Sequence, residues 1–191
     1  MNDAPILAFA TPAEWEAWLA ENVGEEGGIW MKLYKKGTNI PSITYAEALQ
    51  VALCYGWIDA TSKRFDETSW IQRFTPRRKR SVWSKVNVGY VERLIAEGKM
   101  KPTGLAEVER AKADGRWDAA YDSAKTATTP ADFQAALDAV PAAAAFYLTL
   151  KQSNRYAMLY RLQTVKRQET RERKIKEFVE MLARGETIRL I

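Results

Sequence analysis

Between Ile29 and Lys35 two kinds of side chain take turns: Ile29, Met31 and Leu33 alternate with Trp30, Lys32 and Tyr34. A period of two predicts a half-buried strand. The same alternation returns over Trp57 to Lys63 and Ser69 to Thr75, and the short Arg64 to Thr68 segment between them, with Asp66-Glu67, predicts an antiparallel hairpin. Three strands are stable only with helices against one face. Two helices flank the first strand. Thr11, Pro12 and Glu14 supply an N-cap, a proline at the first helical position and a capping box, ahead of Trp15, Trp18 and Leu19 on one face. Thr44 to Glu47 repeats the capping box, and the stripe Ala48, Leu49, Ala52, Leu53 runs to Gly56, which suits a left-handed stop.

Beyond Pro76 the period changes to that of helices. Ser81 or Ser84 can cap a helix whose Trp83, Val86, Tyr90, Leu94 and Ile95 line one side, ending near Gly98. Leu105 to Ala113 forms a shorter helix closed by Asp114-Gly115, and Asp122 to Thr129 is a small, polar loop. Thr129-Pro130 and Pro141 open further helices, followed by Ser153 to about Val165 and by Thr170 to Arg184 with its stripe Ile175, Phe178, Val179 and Leu182. The expected fold is α+β: a small antiparallel sheet of about three strands packed by helices, then a mainly helical C-terminal half. One domain is expected over residues 1–191, with 1–100 the α+β part and 101–191 the helical part. No internal repeat and no long heptad run interrupts this pattern.

Composition narrows the chemistry. With 47% hydrophobic and 28% charged residues the chain is globular in character. The longest apolar run, Ala142 to Leu148, is far too short to span a bilayer, so no membrane insertion is expected. The N-terminal MNDAPILAFATPAEW lacks a basic flank and carries Asp3, which reads as no secretory signal and makes the cytoplasm the expected location. Cys54 is the one cysteine, so an internal disulfide is impossible, and its place in an apolar helical stretch makes it a small buried hydrophobe. There is no histidine at all. That removes Ser-His-Asp triads, Cys-His dyads and His-ligated zinc. No glycine-rich phosphate loop and no carboxylate cluster stands out, and no cofactor is expected.

Charge is concentrated in two zones. Of a net +5, Arg73 to Lys85 holds +6 without an acid and Lys151 to Lys176 holds +7, leaving −8 for the rest. Such zones bind polyanions or small anions, or pair with acidic surface of the same molecule. The stretch Ala52 to Asn87 adds three tryptophans to eight basic and three acidic side chains. Indole faces beside guanidinium groups suit an anionic or planar ligand. With Ser81 as cap, the first-turn N–H groups point toward the loop of Arg77, Arg78 and Arg80, where an anion would sit. Trp57 and Asp59 share one face of their strand, opposite Ile58 and Ala60. The candidate ligand site is therefore Trp57, Asp59, Arg77, Arg80, Trp83, Ser84 and Asn87. The competing reading pairs Asp59 with an arginine and packs the tryptophans between sheet and helices.

Four ordered runs carry a family resemblance: ALCYGWIDA (Ala52 to Ala60), FTPRRKRSVWSKVN (Phe74 to Asn87), GLAEVERAKADGRWDAAY (Gly104 to Tyr121) and TVKRQETRERKI (Thr164 to Ile175). From Trp15 to about Leu182 the chain resembles the bacteriocin-protection family described as YdeI or OmpD-associated. The resemblance implies tolerance of bacteriocins or membrane-directed peptides; it implies no reaction, cofactor or catalytic residue. Three function classes follow. The first is a non-enzymatic stress protein that binds a small anionic or aromatic ligand or a protein partner. The second is a nucleic-acid-binding protein that uses the two basic zones with their interleaved aromatics. The third is an enzyme with Asp59 as base and arginines stabilising negative charge.

Overall fold

A computed structural model describes residues 4–188, so the N-terminal reading that leaned on Asp3 lies outside the described residues. The fold is α+β. Its packing divides the chain into two compact units: residues up to Trp83 with Asn87–Ala119, and Ser84–Val86 with residues from Ala120 onward.

The first unit is built on strands β1 (Ile6–Ala8), β2 (Ile29–Tyr34), β3 (Trp57–Arg64) and β4 (Ser69–Pro76), in spatial order β1-β2-β4-β3. β3 and β4 form the predicted hairpin, and β4 pairs antiparallel with β2. The hairpin turn is set by Asp66, whose Oδ1 accepts from the Thr68 backbone N–H at 2.8 Å and from its hydroxyl at 2.9 Å. The sheet is mixed, with one strand more than the three expected, because β1 adds to β2 in parallel register, Ile6 opposite Trp30. A three-residue strand is too short to show a period of its own. Between Asp59 and Ser62 the β3 register shifts, and the Gln72 amide crosses the bulge to donate to the Ala60 and Thr61 carbonyls, each at 3.2 Å.

Helices α1 (Pro12–Glu21) and α2 (Tyr45–Cys54) begin as the capping boxes dictate: the Thr11 and Thr44 hydroxyls each accept from the backbone N–H three residues on. They cover one face of the sheet. Trp15 of α1, fully buried, lies 6.0 Å from Trp57 and 5.8 Å from Phe74, centroid to centroid, and its indole N–H donates to the Ala48 carbonyl of α2 at 3.1 Å. Ile29, Met31 and Leu33 are buried while Trp30, Lys32 and Tyr34 are only half-buried. At Gly56, φ is +78°, the left-handed stop that turns α2 into β3.

Helices α3 (Lys85–Ala96) and α4 (Pro102–Ala113) complete this part of the chain. The buried positions of α3 are Asn87, Val91 and Leu94, whereas Val86 and Ile95, expected on the inner stripe, are exposed. Trp83 precedes the helix, and the buried side of α3 continues from it through Asn87, Val91 and Leu94 at helical spacing, so it was Val86 and Ile95 that were put on the wrong side.

The second unit holds helices α5 (Ala131–Asp138), α6 (Pro141–Thr149), α7 (Gln152–Gln163) and α8 (Gln168–Ala183). Their starts follow the prolines and stripes read in the sequence. Phe133 is its central ring, 5.6 Å from Tyr147 and 6.3 Å from Phe178, amid Leu137, Met158, Leu162 and Leu182. Part of this unit's basic zone pairs within the unit: Arg171 grips Asp132 at 2.6 and 2.9 Å and donates to the Leu162 carbonyl at 2.7 Å. The hydrogen bonds from Arg171 hold the Asp132 carboxyl below the usual carboxylate range. No helix among the described residues is long and apolar enough to cross a membrane.

Candidate functional site

Helices take one face of the sheet in the first unit, and the other face carries a concavity. Period two decides who lines it. Ile58 pairs with Thr75 across the hairpin, and Ala60, Thr75 and Arg73 continue the same face. With Gly27, Glu26 and the Pro76–Ser81 loop they enclose a groove of about 730 Å³. Its floor is apolar and its rim basic.

Arg73, opposite Trp30 in the β2–β4 register, donates Nη2 to the Gly27 carbonyl and lies 5.6 Å from the Trp30 ring centre. Burial lowers its pKa, so its surroundings resist the charge it carries. Its Nη1 is buried and meets no hydrogen-bond acceptor among the described residues. A desolvated guanidinium nitrogen short of an acceptor is costly unless an anion supplies one.

The loop after β4 is held from two sides. The Arg77 backbone N–H donates to the Gly56 carbonyl at 2.9 Å; its buried guanidinium lies 3.4 Å from the Trp83 ring centre and donates to the Val82 carbonyl at 3.2 Å. From the other side Arg116, anchored on Asp114 at 2.7 Å, donates to the Ser81 carbonyl at 2.8 Å. Ser81 does not start a helix. Its hydroxyl accepts from the Arg78 backbone N–H at 3.0 Å, which closes a turn, and α3 begins only at Lys85. The helix start expected at Ser81 is therefore absent, and Arg78 and Lys79 of the fixed turn stand exposed on the groove rim and join no ion pair among the described residues.

The seven residues expected to form one hollow are not gathered in one. Trp57 is 2% exposed and packs edge-on against Trp15 and Trp18 beneath the helices. Asp59 shares that inner face and accepts from the Tyr45 hydroxyl at 2.7 Å, so no groove arginine faces it. Trp83, also 2% exposed, is enclosed between Arg77 and Trp117. Arg77 is the one expected residue that lines the groove. Arg80 is exposed away from the groove lining, Asn87 is buried in α3, and Ser84 belongs to the second unit, where it bridges to Tyr121. Sequence reasoning counted Arg73 among the basic zone but left it out of the site. Pairing the hairpin on paper would have put it beside Thr75 and Ile58, on the face that the burial of Trp57 leaves open.

Cys54 is buried at the end of α2, and burial pushes its thiol pKa up to about 11. At pH 8 an ordinary thiol is about a quarter thiolate, while Cys54 is on the order of a thousandth. Native protein should therefore react with a thiol reagent at least a hundredfold more slowly than urea-unfolded protein. Equal rates would contradict both the burial and the shift. Among the described residues no three His, Cys, Asp or Glu side chains gather as a metal site.

The model of the family described as "Bacteriocin-protection, YdeI or OmpD-Associated" matches residues 126–185. A second model, described as "Domain of unknown function (DUF8412)", matches residues 7–107. The resemblance to the bacteriocin-protection family thus holds over a shorter span than its four motifs suggested: Thr164 to Ile175 lies within it, while Ala52 to Ala60 and Phe74 to Asn87 fall in the other match. Comparison with curated proteins and with solved structures returns no match.

Proposed function

We propose a function for this chain, which belongs to the family described as "Domain of unknown function (DUF8412)": it is a non-enzymatic binding protein whose groove takes a small ligand with an anionic, multi-oxygen head and a flat or apolar body. One observation carries this reading. The groove gathers Arg73, Arg77, Arg78 and Lys79 around a single carboxylate, Glu26, and the buried Nη1 of Arg73 has no acceptor. The volume suits a drug-sized molecule. Ile58, Ala60 and Thr75 give the body of the ligand an apolar floor, while Arg78 and Lys79 meet its charge at the rim. A protective role in the cytoplasm is the setting proposed for this binding, and what speaks for protection is the match over residues 126–185 to a family described by bacteriocin protection.

Inorganic tripolyphosphate is a probe for the anionic head. Present at about a hundredfold excess over its Kd it should stabilise the native state by about 2.7 kcal/mol, read as a rise in Tm. The double variant Arg78→Ala/Lys79→Ala removes two exposed cations without disturbing the turn, and should weaken binding about tenfold. An unchanged Tm in the parent, or the same rise in the double variant, would reject the groove as the site.

A further inference from the structure

We infer that the anionic head and flat body this groove accepts are those of one nucleotide within a single-stranded nucleic acid, with backbone phosphate in the groove and neighbouring bases stacked on the sheet face beside it. This rests on the groove reading and extends it along the strands. The groove continues through Arg73 onto the sheet face opposite the one that α1 and α2 cover. Trp30 and Tyr34 stand there four residues apart on β2, about 13 Å along the strand. Phe65, in the hairpin turn, is 46% exposed. Each ring has a cation at its face: Lys63 Nζ lies 4.1 Å from the Trp30 centre, and Lys32 Nζ lies 4.5 Å from Phe65 and 4.9 Å from Tyr34.

Rings alternating with lysines are what sequence-tolerant single-strand binding requires. Aromatic faces stack unpaired bases, and neighbouring cations take the phosphates. Lys63 is an exposed, flexible side chain, so a base can displace it from Trp30 and leave its ammonium free for the next phosphate. Asp66 opposes this charge on the face, paired with Lys32 at 3.2 Å, and the hydrogen bonds it accepts from Thr68 help to hold its carboxyl low. Charge complementarity thus selects a polyanion, and the rings select one with unstacked bases. A duplex keeps its bases stacked inside and offers the rings nothing.

The test uses a fluorescein-labelled single strand of about twelve nucleotides, the matching duplex, and tripolyphosphate, each titrated against the full chain at several salt concentrations. The single strand should bind more tightly than the duplex. Trp30→Ala should weaken it tenfold or more, a larger loss than it causes in tripolyphosphate affinity through the Arg73 that packs on the ring, and Trp30→Phe should restore most of the loss. Arg78→Ala/Lys79→Ala should instead flatten the salt dependence, by about 0.7 in log–log slope per cation removed. Should Trp30→Ala fail to fold by circular dichroism, Lys63→Ala with Arg73→Lys tests the same face, and unchanged single-strand affinity there overturns the inference. Equal affinity in Trp30→Ala and parent, or a duplex bound as tightly as the single strand, overturns it as well. Tripolyphosphate binding without oligonucleotide binding would sink this inference and leave the groove intact; failure of both probes would sink the two together.

Discussion

Trp15→Ala should destabilise the first unit by about 3–5 kcal/mol, the range for emptying a fully buried tryptophan site. Trp15 is 0% exposed and touches Phe9, Trp18, Trp57 and Phe74, with ring centres 5.1 to 6.0 Å away. Removing the indole opens a void walled by four rings that are fixed to three different elements and to the chain before α1. They cannot close on it without moving the sheet relative to α1. The substitution also strips the Ala48 carbonyl of its 3.1 Å donor, an added cost because that acceptor is buried. Against the 5–15 kcal/mol typical of a whole domain, such a loss is a large share. All seven tryptophans, from Trp15 to Trp117, belong to the first unit, so tryptophan fluorescence during urea unfolding reports that unit alone. Trp15→Phe keeps the ring contacts but loses the hydrogen bond, and should fall between alanine and parent. A urea midpoint for Trp15→Ala indistinguishable from the parent's would refute the account of this core.

Gly28→Ala is the second large effect, and it reaches the groove as well as stability. The backbone there has φ of +67°, and an added Cβ would lie 2.4 Å from the Phe74 carbonyl oxygen and 2.8 Å from Thr75 Cγ2. A left-handed alanine costs about 1–2 kcal/mol, and pressing a methyl into a packed site costs about 1–3 more. The strain is relieved only by moving the chain at Gly27 away from β4. Gly27 supplies the carbonyl that holds Arg73 Nη2. Tripolyphosphate affinity should therefore drop about tenfold together with stability. Gly24→Ala is the matched control, since nothing lies within 4 Å of a Cβ there, and it should change neither. Undiminished affinity in a folded Gly28→Ala protein would mean that Arg73 does not position the ligand.

Local rules placed most elements. The Thr44–Glu47 capping box formed in full, because a threonine and a glutamate three residues apart satisfy each other locally, while at α1 Thr11 caps the Glu14 N–H and the Glu14 carboxylate accepts from the Ala10 N–H instead. Alternation placed β2, and the hairpin followed from two alternating runs and an Asp-bearing turn. The misplaced features share one cause. β1 exists by pairing with β2, and Ser81 was drawn into the Arg78 turn that Arg77 and Arg116 hold in place. β2 and Arg116 are both distant in sequence from the residues they hold.

For the site the gap is wider, and its reason is geometric. The composition of Ala52 to Asn87 pointed to the right region for binding chemistry, and alternation separated Trp57 and Asp59 from Ile58 and Ala60 correctly. What alternation cannot do is say which of two strand faces the helices will cover. An indole serves a core as well as it serves a ligand, so Trp57 and Trp83 were as good candidates for contact as for burial. The order of residues settled propensity, periodicity and caps, because these depend on neighbours within one or two turns. Sheet order, the covered face and the meeting of Arg73 with Gly27 and Trp30 were settled by packing, because each joins residues far apart in sequence, and only the folded chain brings them within reach of one another.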